Sequence, residues 1–127
     1  MLEEYILITT KGEIEVVQIE SEQFLGKCYE LIKCDCIEVC VPNYKNGNTA
    51  LRFILYESGK INDQEYNLIA TLEYNRPDIL FGNVIIGKVG LNQYGEMDIV
   101  GLEYWEIDEI SYHLDIASKS LGFVGLI

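Results

Sequence analysis

All four cysteines of the chain fall in one stretch, Lys27 to Cys40, KCYELIKCDCIEVC. Sulfur packed this closely suggests three chemistries: a metal cluster, a redox pair or a reactive thiol. The spacing favours none of them. Structural zinc sites bend the chain through C-x₂₋₄-C knuckles so that two sulfurs meet one ion. Here the gaps are five, one and three residues. Cys28 falls on the apolar face of an expected helix, and Cys34, Cys36 and Cys40 share one side of an extended segment. Sulfurs at strand positions i and i+4 are too far apart for a common ion. A C-x-x-C redox pair is absent. The reading is therefore hydrophobic thiols used as filling, with a metal site or a reactive thiol as the alternatives. Cysteine–histidine catalysis would need His113, the single histidine, with Asp115 to orient its ring.

The remaining motifs are equally sparse. There is no G-x-x-x-x-G-K loop and no calcium-loop spacing. Gly82, Gly87 and Gly90 interrupt an apolar run without forming a dinucleotide fingerprint. No cofactor or metal is expected. Enzymatic activity ranks last among the functions considered, because no nucleophile–base or metal constellation stands out.

Charge is more informative. The chain of 127 residues carries 21 acids and 9 bases, a net −12. Such a surface repels phosphate backbones, so direct nucleic-acid binding is not expected. Lys88 and Lys119 enclose a stretch free of Lys and Arg that holds Glu96, Asp98, Glu103, Glu106, Asp108, Glu109 and Asp115. Its plain reading is a solvated face. Its sharper reading is a patch that docks on a basic surface. Tyr94, Tyr104 and Trp105 lie within the stretch. Aromatic residues anchor interfaces, although core and rim packing would equally account for them.

The elements that must position these residues follow from patterning. YILITT and EIEVVQI around Lys11-Gly12 predict a β-hairpin. Ser21 reads as the cap of a helix carrying Phe24, Leu25, Cys28, Leu31 and Ile32 at helical spacing. Cys36 to Val41 and Leu51 to Tyr56 read as strands, the latter ending at a Ser58-Gly59 turn. Asn62 to Glu73 suits a short helix capped by Asn62, although NLIATLEY also fits a strand. Ile79 to Val89 reads as one central strand. Gly90 to Gly101 reads as a loop or a short hairpin at Tyr94-Gly95. A last helix is expected with Asp108 as its N-cap, Ile110, Leu114, Ala117 and Leu121 inward, Gly122 as its C-cap and an apolar FVGLI tail packing back. The order predicts one α+β domain, a mostly antiparallel sheet with two or three helices on one face. The longest apolar run falls short of the roughly 20 residues that span a bilayer, and the opening MLEEYILITT lacks a signal-peptide core. No membrane partner and a cytosolic location are expected.

Leu55 to Ile86 carries Glu57, Gly59-Lys60, Asn67-Leu68-Ile69-Ala70-Thr71 and Asp78-Ile79-Leu80-Phe81-Gly82. This E-x-G-K … N-x-x-A-T … D-I-x-x-G pattern resembles a family of small domains of unknown function found in phages, prophages and plasmids of Gram-positive bacteria. The N-terminal hairpin, helix and strand look similar too, so the likeness covers residues 5 to 90. The family's usual proline before N-x-x-A-T is missing, and residues 91 to 127 form an acidic extension outside the likeness. The resemblance brings no activity and no catalytic residues. It implies a mobile-element setting, in which small acidic proteins often counter host defences.

Two binding functions are thus expected. The first blocks a host defence protein through an acidic surface made of Glu96, Asp98, Glu103, Tyr104, Trp105, Glu106, Asp108 and Glu109. The alternative sequesters a nucleotide-derived signal in a pocket using Lys60, Asn67, Thr71 and Arg76, with Lys88 as a further base. For Asn67 and Thr71 the plain reading is turn capping and packing. A homodimer through Ile79 to Ile86 or the tail is a further expectation if either is exposed.

Overall fold

The computed structural model describes residues 1–43, 48–57 and 64–120. In chain order it contains β1 (Leu2–Ile8), β2 (Ile14–Glu20), a 3₁₀ turn (Ser21–Gln23), α1 (Phe24–Ile32), β3 (Ile37–Cys40) and β4 (Leu51–Tyr56). Then follow α2 (Leu68–Tyr74), β5 (Val84–Leu91), β6 (Met97–Val100) and α3 (Tyr104–Ser120). Every strand pairing is antiparallel, and the sheet runs β2-β1-β5-β4-β3 with β6 also on β5. The α+β class is as expected.

The helices, however, cover both faces of the sheet rather than one. The cause lies in the central strands, where Tyr5 to Ile8, Phe53 to Leu55 and Val84 to Ile86 are apolar at consecutive positions and buried throughout. A strand with two apolar faces needs cover on both. Ile6, Ile8, Phe53, Val84 and Ile86 join α2 and α3 in one core cluster. Tyr5, Leu7, Ile54 and Ile85 join Cys28 and Ile32 of α1 in the other. Residues Val84 to Ile86 are thus sealed between neighbouring strands and two layers of helix, whereas Ile79, at the start of the expected dimer run, is exposed. The tail lies outside the described residues, as do the Ser58-Gly59 turn, Asn62 and Gly122.

Two junctions differ from the expected single strand at Ile79 to Val89. The first precedes β5, which begins at Val84. Phe81 makes an isolated bridge to Tyr66, and Gly82 takes a left-handed φ of 79°. That conformation breaks the strand and suits glycine. The second is a fork in the sheet. Both β1 and β6 pair with the same edge of β5, β1 at residues 84 to 86 and β6 at residues 88 to 91. The handover lies at Gly101, where a Cβ would stand 2.6 Å from Glu3 Cβ. The Leu102 amide then donates to the Glu4 carbonyl at 2.7 Å. Towards its N-terminus β1 leaves β5, and the β5–β6 hairpin fills the space.

No helix among the described residues is long and apolar enough to cross a membrane.

Candidate functional site

The acidic stretch is divided by the fold into three parts. The first is the outward face of α3. This helix starts four residues before the expected cap, Asp108. Its N-terminus is fixed by Glu106, whose carboxylate accepts the Glu103 amide at 2.9 Å, the reciprocal half of a capping box. At 3.6 residues per turn, Tyr104, Trp105, Asp108, Tyr112, Asp115 and Ile116 fall within an arc of about 120°. All six are exposed, with Tyr104 at 76%, Tyr112 at 66% and Trp105 at 53%. Ile107, Ile110, Leu114 and Ala117 take the opposite arc and are buried. Glu109 sits half-buried at the margin. Tyr112, Asp115 and Ile116 were not among the expected docking residues. Counting forward by four and eight from Tyr104 would have found Tyr112.

The second part is the β5–β6 hairpin, which carries Glu96 and Asp98, both exposed. Asn92 shapes its turn by accepting the amides of Tyr94 and Glu96 at 2.9 and 3.0 Å. Asp98 accepts the amide of Ile99 at 2.8 Å.

The third part is Glu106 itself, and here the docking assignment is corrected. Glu106 is only 3% exposed. Lys88 Nζ donates to it at 2.6 Å and Asn48 Nδ2 at 3.0 Å. Burial alone would raise its carboxyl pKa, yet the Lys88, Glu103 and Asn48 bonds outweigh burial and hold it below its ordinary value. Glu106 therefore fastens α3 to β5. Glu103 stays exposed, 3.9 Å from the same lysine. Lys88 is engaged as well and is not a free phosphate donor.

The residues expected to hold a nucleotide are similarly committed. Asn67 is buried and caps α2 by accepting the Ala70 amide at 3.1 Å. Its Nδ2 donates to the carbonyls of Ile8 and Gly82, both at 2.9 Å. Thr71 Oγ1 donates to Asn67 O at 2.7 Å and accepts the Leu80 amide at 2.9 Å. The capping reading of Asn67 agrees with its bond to Ala70, while Thr71, read as packing, also bridges Asn67 and Leu80 through its hydroxyl. Arg76 is exposed and its Nε donates to the Val41 carbonyl at 2.6 Å. Lys60 lies outside the described residues.

Two clefts remain. One of about 350 Å³ is lined by residues of β3, β4 and the segment after α2, among them Cys40, Tyr56 and Tyr74 and the acids Glu38, Glu57 and Asp78. Arg76 lines a shallower depression beside it. The other, of about 340 Å³, occupies the fork between β1 and the β5–β6 hairpin and carries Glu3, Glu22 and Asp98. Both volumes fall near the lower end for small-molecule sites. Each lining carries three acids among mostly uncharged residues.

The thiols are not activated. Burial pushes Cys28 up to about 12. The Glu57 carboxylate, which accepts the Cys36 thiol hydrogen, pushes that group from 9.0 to about 11. Burial likewise raises Cys34 and Cys40. Among the described residues, no group of three or more His, Cys, Asp or Glu could hold a metal ion. Because the thiolate is the nucleophile, Cys36 should be alkylated by iodoacetamide at pH 8 on the order of 100-fold more slowly than in the unfolded chain. Mass spectrometry of timed samples checks this, and equal rates would refute the environment described.

Comparison with known proteins finds no matching family model, no matching curated protein and no matching solved structure.

Proposed function

We propose that this chain is a non-enzymatic binding protein that docks on a basic protein surface through the outward face of α3. In the mobile-element setting that the resemblance implies, the partner is a host defence factor, and docking blocks it. The observation that carries this reading is the exposure of Tyr104, Trp105 and Tyr112 on one arc with Asp108 and Asp115. Exposing three large rings leaves their apolar area in water, where burial against a partner stabilises at roughly 25 cal/mol per Å². The interspersed acids favour partners with basic surfaces and speed encounter with them.

Sequestration of a nucleotide signal has less support. A phosphate entering either cleft would meet Glu38, Glu57 and Asp78, or Glu3, Glu22 and Asp98. Among the bases assigned to that function, Arg76 lines a depression beside one cleft, and Lys88 is ion-paired with Glu106.

The test is affinity capture from a lysate of a Gram-positive bacterium, followed by titration of the captured protein. Trp105→Ala should weaken binding by about 2 kcal/mol, roughly 30-fold, without lowering thermal stability. Unchanged affinity would remove α3 from the interface.

A further inference from the structure

We propose that this chain forms a two-fold homodimer through the outward side of α2 and the segment that follows it, a surface separate from the docking face on α3. Leu68 and Leu72 stand one turn apart on α2, and both are exposed. Ile69 and Ala70 turn inward and are buried. Residues 79 to 81 run beside the helix. The Asn67 amide donates to the Leu80 carbonyl at 2.9 Å, and the Leu80 amide donates to Thr71 Oγ1 at 2.9 Å. Leu80 is buried, while its neighbours Ile79 and Phe81 are exposed and half-buried. Phe81 packs on the exposed Tyr66, with ring centroids 5.0 Å apart. Tyr66, Leu68, Leu72, Ile79 and Phe81 thus lay an apolar strip over the outside of this region, and a strip of that kind marks an interaction surface.

Charge identifies the occupant as a second copy. A net −12 makes most pairings of two copies repulsive, yet the side chains of the strip are neutral. The charges beyond its ends are self-complementary. Glu65 precedes α2 and Arg76 follows it, and both are exposed. A two-fold contact is isologous, so each protomer receives the same contact that it gives. With the axis normal to the strip, α2 lies antiparallel to its copy. Arg76 of each protomer then comes against Glu65 of the other. Arg76 is already fixed in place, because its Nε donates to the Val41 carbonyl at 2.6 Å. Asp78, the other charge beside Ile79, accepts the amide of that residue at 2.8 Å within its own protomer. A basic partner of the kind proposed for α3 would meet Arg76 here, which disfavours it at this surface.

The test is sedimentation velocity of the full chain over a range of micromolar concentrations in 0.15 M salt. A monomer–dimer equilibrium is expected. Each substitution occurs twice in an isologous interface, so Leu72→Gln should raise the dimer dissociation constant on the order of 100-fold. It alters an exposed residue and should leave the Tm of the dilute monomer unchanged. Arg76→Glu and Glu65→Arg should each weaken the dimer on the order of tenfold. An equimolar mixture of those two variants should pair again, because every acid at the contact then faces a base. A chain that stays monomeric at the highest concentration would overturn the proposal. If Leu72→Gln also lowers the Tm of that monomer, the strip is covered by the apolar residues 121 to 127 rather than by a copy. A dimer indifferent to Leu72→Gln, one lost with Trp105→Ala, or a mixture that fails to pair would equally overturn it. The measurement needs no partner protein, so it stands or falls apart from the docking test.

Discussion

Replacing Asn67 by alanine should destabilise the fold by about 3–4 kcal/mol. The sum has two parts. Loss of an N-cap costs about 1 kcal/mol. The carbonyls of Ile8 and Gly82 also lose their shared donor in a buried setting, at about 1 kcal/mol or more each. Asn67 thereby ties the end of β1, the start of α2 and the left-handed turn at Gly82. Asn67→Asp separates these contributions. It keeps an acceptor for the Ala70 amide but sets a carboxylate against two carbonyl oxygens, so it should recover little stability. Urea unfolding with a common m-value measures both variants, and a loss under 1 kcal/mol for Asn67→Ala would show that the junction does not depend on this side chain.

Lys88→Ala should cost about 3–5 kcal/mol, because it leaves the Glu106 carboxylate buried without its cation. For a chain of this size that lowers Tm by roughly 11–19 °C. The effect depends on pH in a defined direction. The Glu106 carboxyl is held below its ordinary 4.5 in the folded protein. Its contribution to stability is therefore complete above pH 4.5 and is lost as pH falls through the folded value. In Lys88→Ala the strongest of the bonds that offset burial is gone, so the folded carboxyl should rise and the loss on acidification should shrink. The stability gap between wild type and variant should narrow from pH 7 to pH 4. Adding Glu106→Gln to Lys88→Ala should restore part of the loss at pH 7, since a neutral amide is cheaper to bury. A gap independent of pH would mean that Glu106 is not a buried ion.

These two residues also mark where the sequence was legible and where it was not. The β1–β2 hairpin, α1, β3, β4 and the α+β class follow from local periodicity and turn residues. The two-sided cover of the sheet was present in the apolar runs YILI, FIL and VII, which no one-sided sheet explains. What was hidden depends on contacts distant in sequence. Glu106 resembles its acidic neighbours until Lys88, 18 residues away, is placed beneath it. The start of α3 moves ahead of Asp108 to Tyr104 because that same carboxylate closes the first turn. Asn67 could be read as a cap from N-x-x-A-T, but its two long-range carbonyl partners could not. The fork arises because β1 and β6 share one edge of β5, a fact of topology with no local signature. Tyr112 was within reach of a helical count from Tyr104, provided the helix was begun early enough.

The most direct test of the docking account is affinity capture at 0.05, 0.15 and 0.5 M salt. It compares wild type with a Tyr104→Ala, Trp105→Ala, Asp108→Asn variant that keeps the wild-type Tm. The account predicts a protein partner retained by wild type, retained less as salt rises, and lost with the variant. A partner held equally by both chains at every salt concentration would contradict it, as would a wild-type chain that carries only a nucleotide-sized mass.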